Sequence, residues 1–400
     1  MEPLLKSMPS PSEPEDFSLV LGGPLYQLWR RLHVTGPGLE LLVRRMVGIS
    51  LVAWLPLLVL TVYEGFAIGH AVSVPFLYDL DAHGRFLVAI PLLILAEVVV
   101  HHRIRPVVRQ FVDAGIITPE VLPQFRAAIA RAMRLRNSLA MELALVVLVF
   151  GLGWILWKEG MSLGASTWYA ISDAAGRHLT LAGQWYAHVS IPVFQFLLIR
   201  WLIRLVIWFL FLWRVSRLPL RLTPSHPDRA GGLGFLAGGP TAFAPVILAL
   251  SAVLSALIAN RILFQGATLV SFKYEIVAFL ILQLVLVLGP LSVFAPTLLA
   301  LKRQGRREYG ALAARYTREF HAKWISGAAP PGEPLVGSAD IQSLADLANS
   351  YEVVSGMRPF PFGSDTLVQA AVPAVLPLLP LALTVVPAEE ILKRLLGMLL

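Results

Sequence analysis

Residues 194–214 read FQFLLIRWLIRLVIWFLFLWR, an apolar helix with Arg200 and Arg204 set into its middle. A run of roughly 20 apolar residues is what a helix needs to cross about 30 Å of hydrocarbon. A guanidinium near the bilayer centre costs at least ~2.5–3.5 kcal/mol, so both arginines must face protein or water. Two arrangements satisfy that demand. The span can end near Ile199, leaving an interfacial helix whose arginines reach out to water. Alternatively the helix continues and the arginines meet carboxylates inside a bundle. Residues 205–213 are wholly apolar for two and a half turns, which favours the second arrangement.

The rest of the chain belongs to the same solvent. Of its 400 residues 56% are hydrophobic and 14% charged, with a mean hydropathy of +0.70, whereas about 25% of residues in a soluble domain are charged. The alternating ten-residue segments of an outer-membrane barrel are absent. The expected fold is therefore all-α, a polytopic membrane helix bundle with six to seven transmembrane helices. Apolar runs place spans at residues 47–68, 86–100, 139–157, 187–213, 241–264 and 275–301, with a seventh at 368–387. The implied organisation is a cytoplasmic N-terminal segment (1–46) and a six-span bundle (47–301) carrying a cytoplasmic helical loop (102–138). A cytoplasmic helical extension and linker (302–367) follow, and then residues 368–400.

That last part, VQAAVPAVLPLLPLALTVVP followed by AEEILKRLLGMLL, combines a proline-rich crossing or re-entrant segment with an amphipathic C-terminal helix. Each interior proline frees a carbonyl, so the crossing must be packed against other helices. A broken crossing is the expectation.

A formal charge of +8 and a pI near 9.9 read as topology and not as nucleic-acid binding, because cytoplasmic loops retain Lys and Arg. Alternate loops hold 24 and 4 basic residues. That bias puts the N-terminus in the cytoplasm of a multi-pass protein of the plasma (inner) membrane. The opening, SMPSPSEPEDF, has none of the apolar core of a cleavable signal peptide. Two helices are expected to project into the cytoplasm. One runs from Thr118-Pro119 without a breaker to residue 157, about 58 Å. The other extends span six through Tyr309, Leu312, Tyr316, Phe320 and Trp324, with bends near Gly289-Pro290 and Pro296.

Chemistry is sparse. Glu97 and Glu142 lie at a depth matching Arg200 and Arg204, so the four form a candidate intramembrane charge cluster or ion pathway. In EVVVHHRIR (97–105), Glu97 and His101 share a helical face, but further ligands at metal spacing are missing. His70 and His188 are too isolated to argue for haem. The polar loop LTPSHPDRAGGLGFLAGGP (222–240) places His226, Asp228 and Arg229 before Gly231 and Gly232. Its amides can form an anion nest beside Arg229. In the blander reading Asp228 caps the next helical start and Arg229 ties to a neighbour. With no cysteine, thiol catalysis and Cys-ligated metals are excluded. No enzyme constellation, metal or other cofactor is expected.

The leading functional expectation is a channel or transporter for a small ion, with an anion as the cargo. The alternative is a non-transporting scaffold or sensor that binds a cytoplasmic partner or anionic lipid. A lipid-modifying enzyme working through the His226 loop ranks third. Expected partners are membrane lipids and further copies of the chain.

Overall fold

The computed structural model describes residues 17–22, 42–160, 167–173, 176–335 and 337–384, leaving aside the side chains of 152–160, 172–173 and 176–177. Among the described residues the protein is an all-α bundle with one small hairpin. Its helices are α1 (Leu42–Glu64), α2 (Leu80–Asp113), α3 (Leu122–Arg136), α4 (Leu139–Gly160), α5 (Leu181–Val215), α6 (Ala244–Gln265), α7 (Leu269–Ile325), α8 (Ala339–Ser355) and α9 (Ser364–Thr384). Strands β1 (Ala170–Asp173) and β2 (Gly176–Leu179) pair antiparallel just before α5. All of these except α3, α4, α8 and the hairpin are helices long and apolar enough to cross a membrane. The expected span at 139–157 falls on α4, which is apolar through Gly151.

Two helices form the centre. Buried residues of α2 recur as Phe86, Ala89, Ile90, Leu93, Ile94, Glu97 and Val100, and those of α5 as Phe194, Leu197, Trp201, Arg204, Trp208 and Phe211. Steps of three and four set each row on one helical face. Around this pair stand α1 against α2, α4 against α5, and α6 against α2, while α9 fills the side between α6 and α7. Both central helices contain a π-helical turn, Gly84–Ala89 in α2 and Tyr186–Ser190 in α5. The two turns meet where Arg85 Nη1 donates to the Tyr186 hydroxyl at 3.0 Å. Such turns are frequent at functional sites.

The two ends of the bundle differ. At one end, Glu64 of α1 accepts from the amides of Leu181 and Ala182 at 2.7 and 3.2 Å. A carboxylate there satisfies orphan donors and complements the dipole of α5. At the opposite, basic end, α3 lies under α5, burying Phe125, Ala128, Ile129 and Ala132. Residues 17–22 are tucked in beside it, with Phe17 4.7 Å from Phe211 between ring centroids. Beyond the apolar part of α7, its basic extension carries α8: the Tyr316 hydroxyl donates to the Asp340 carbonyl, and Lys323 and Trp324 both donate to the Asp340 carboxylate.

Two expectations need correction. The helix foreseen from residue 119 to 157 is two helices, because Asn137 ends α3 and Ser138 starts α4 with its Oγ accepting from the Met141 amide. Side-chain capping by Ser competes with helix continuation, and here it wins. The start also shifts, since Thr118 begins a turn and the helix proper opens at Leu122. By contrast α7 runs for 57 residues, with a 3₁₀ stretch at Gly289–Phe294 where a bend was expected. The proline-rich α9 runs through Pro373 as α-helix and then as 3₁₀ helix over Leu376–Thr384. The amphipathic segment after it lies outside the described residues.

Candidate functional site

The helix carrying Arg200 and Arg204 does not stop at Ile199. It continues to Val215, and Leu205, Ile207, Trp208, Phe211 and Leu212 are all buried. Its arginines therefore enter the bundle. Arg204 Nη2 donates to Glu97 Oε1 at 2.9 Å, and Arg200 Nη1 lies 3.8 Å from the same oxygen. The second carboxylate oxygen is taken from the other side, where Arg45 Nη2 of α1 donates to Glu97 Oε2 at 2.5 Å. Glu97, Arg204 and Arg45 are 4%, 3% and 1% exposed, so the node is closed to bulk solvent. It ties α1, α2 and α5 through one carboxylate. The Arg204 guanidinium also sits 4.5 Å from the Trp201 ring, a contact that favours cations.

On its other flank the node borders a small cleft. Arg136 at the end of α3, Glu142 and Leu145 of α4, and Arg200, Ile203 and Arg204 of α5 line a space of about 30 Å³. That is room for one water-sized particle. Burial, reinforced by the neighbouring Arg204, pushes the Arg136 guanidinium down to about 10. Glu142 acts electrostatically on Arg200. Three guanidiniums and the Glu142 carboxylate thus line this cleft; of the three, Arg204 is bonded to Glu97, and Arg136 donates to the Ser18 carbonyl and to Asn137 Oδ1.

Beyond the node the bundle is apolar and buried. Phe86, Ala89, Ile90, Leu93 and Ile94 of α2 are each at most 1% exposed. Trp201 closes the layer, its Nε1 donating to the Leu93 carbonyl at 2.8 Å. Past it a second polar layer opens near the far end. Asp79 accepts from Trp168 Nε1 at 2.7 Å and from Asn260 Nδ2 at 2.5 Å, while Arg85 pairs with Asp81 at 2.7 Å. Two charged layers on α2 are therefore separated by a hydrophobic one, with Arg85 and Glu97 about 18 Å apart along the helix.

The glycine-rich loop forms a separate unit at the basic end. Asp228 Oδ1 accepts from the amides of Ala230 (2.8 Å) and Gly232 (3.2 Å), and Oδ2 from Gly234 (2.7 Å). Burial works against the carboxylate, but these amides and His226 outweigh it and hold Asp228 below its ordinary value. The turn needs left-handed backbone at Gly231 and Gly232, with φ of 67° and 100°, which glycine adopts without penalty. Amides of the run that face inward to Asp228 are engaged there and do not form an open nest. Arg229 reaches Glu352 at 3.9 Å, and Arg358 Nη2 donates to the Asp228 carbonyl at 2.8 Å. His226 Nδ1 stands 2.9 Å from Asp228 Oδ1.

Of the residues singled out in the sequence, Glu97, Arg200 and Arg204 converge, and Glu142 joins them across the cleft. His226, Asp228, Arg229, Gly231 and Gly232 form the distinct loop. His101 turns instead to residues 17–22, bonding Ser18 Oγ at 3.0 Å. Arg45 escaped the sequence reading because span one was started at residue 47. In the structure Arg45 lies two steps of four residues before Ala53, on the buried face that continues through Leu57 and Thr61. Arg136 and the Asp79–Asp81–Arg85 layer carried no comparable mark. Compared with protein-family models, curated proteins and solved structures, the chain matches none.

Proposed function

We propose that this membrane protein transports a small anion, and that the cleft between Arg136, Arg200 and Arg204 is its inner binding site. The observation that carries the reading is three guanidiniums around a water-sized cleft, next to a buried node that fixes Arg204 in place. The site size favours a chloride-sized ion over a large organic anion. With the basic end in the cytoplasm, as the distribution of Lys and Arg indicates, the cleft loads from the cytoplasmic side. The dry layer of Phe86, Ile90, Leu93 and Trp201 is then the gate, since a hydrophobic constriction blocks ions by excluding water. The Asp81–Arg85–Tyr186 layer faces the opposite side. The paired π-turns supply backbone irregularity where α2 and α5 must shift for the gate to open.

The test is anion flux into liposomes containing the purified protein, under concentration gradients and voltages of both signs. Transport of chloride or nitrate that falls at least about tenfold in Arg200→Gln, with unchanged unfolding temperature, supports the assignment. Arg200 is chosen because it stands at 3.8 Å from Glu97 and its loss leaves the two shorter ion pairs intact. Absence of flux for every anion tested overturns it.

A further inference from the structure

A groove of about 550 Å³ runs along the outside of the bundle between α1, α4 and α5. It does not share the anion cleft and does not depend on the transport reading. Its walls are apolar: Ile49 and Val52 from α1, Val146 and Phe150 from α4, and Val193 from α5, with Arg44 at the basic end. Arg44 is exposed, unlike its neighbour Arg45, which is committed to Glu97. Gly48 forms a notch in the wall one turn from Arg44; no atom lies within 4 Å of where its Cβ would stand. The volume is in the range of ligand pockets. The position, beside spans whose other outward residues are Val, Leu and Phe, opens it to hydrocarbon.

We infer that this groove binds an anionic phospholipid of the leaflet at the basic end, one acyl chain lying along Gly48 to Val52 and the phosphate meeting Arg44. The charge pattern selects this occupant. An apolar trough with the exposed Arg44 at its basic end, lined also by His188 and by the Glu97-bonded Arg45, complements an amphiphile with an anionic head and an apolar tail. A zwitterionic lipid brings a choline cation with its phosphate and so offers Arg44 no net counter-charge, and a soluble anion leaves the trough unused.

The experiment is native mass spectrometry of the purified full chain offered equal amounts of phosphatidylglycerol and phosphatidylcholine. The expected result is a retained phosphatidylglycerol adduct, preferred about fivefold, the discrimination one basic side chain near a membrane surface supplies. Arg44→Gln abolishes the preference and leaves weaker binding of both lipids. Gly48→Leu, which fills the notch with a better helix former and leaves Arg44 in place, removes the adduct while the unfolding temperature holds. Equal binding of the two lipids by the native chain overturns the inference, as does an adduct unchanged in Gly48→Leu. A dimer that Gly48→Leu dissociates would also overturn it, in favour of a second copy as the occupant.

Discussion

Glu97 and Asp228 are both carboxylates that gather several donors, and they are satisfied in opposite ways. Glu97 is met by guanidiniums from two other helices, Arg45 standing 52 residues before it and Arg204 107 residues after it. Asp228 is met by backbone amides two, four and six residues further along its own loop. The first arrangement exists only once the helices have assembled, and it leaves guanidiniums facing a cleft. The second is complete within one turn, and it consumes the polar groups that a ligand needs. The Glu97 node therefore fixes how three helices meet, and the Asp228 loop fixes local shape.

Removing each carboxylate tests that contrast. Glu97→Gln leaves buried guanidiniums without their counter-charge, and unfolding in detergent should show a loss of about 3–5 kcal/mol. The triple variant Arg45→Met, Glu97→Leu, Arg204→Met sharpens the point. Apolar residues of similar volume often replace a buried ion cluster without loss, so stability returns toward that of the native chain while anion transport is lost. If transport survives in the triple variant, the node is only a clamp.

Asp228→Asn is expected to cost less, about 1–2 kcal/mol, because it weakens hydrogen bonds to a partly exposed charged acceptor without stranding a buried charge. Its signature is pH. Asp228 titrates below its ordinary value of 3.8 in the folded chain, so the unfolded state binds the proton first as pH falls. The stabilisation is present above about pH 4 and lost as pH drops through the depressed folded value. Thermal unfolding between about pH 6 and about pH 3 should therefore show a decline that Asp228→Asn lacks. Smallest is Tyr309→Phe, which deletes the 2.8 Å bond from its hydroxyl to Ser225 Oγ. A loss of about 0.5–1.5 kcal/mol is expected, with flux unaffected.

The same contrast explains what was legible in the sequence. Asp228 as a cap was readable because its partners lie within six residues, and turn chemistry is local. The membrane class and six of the seven expected spans were readable, because lipid imposes length and composition on each helix separately. The pairing of Glu97 with Arg204 was readable in outline from matched depth. Arg45 and Arg136 were not read into it. Both stand at helix termini, where a shift of a few residues in the boundary turns a buried ligand into a loop charge. The break at Asn137-Ser138 was hidden by an unbroken apolar pattern on either side. The Asp81–Arg85–Tyr186 layer required knowing which faces of α2 and α5 oppose each other, which depends on packing and not on either helix alone.

On the proposed reading, a small anion is held beside Arg200 on the basic side of the apolar layer. Thermal unfolding of the purified native chain and of Arg200→Gln, across a chloride series at constant ionic strength, measures this directly. Gluconate is the replacing anion, too large for a space of about 30 Å³. Chloride should raise the unfolding temperature of the native chain saturably and leave that of Arg200→Gln unchanged. A native chain indifferent to chloride, bromide and nitrate alike would contradict the reading.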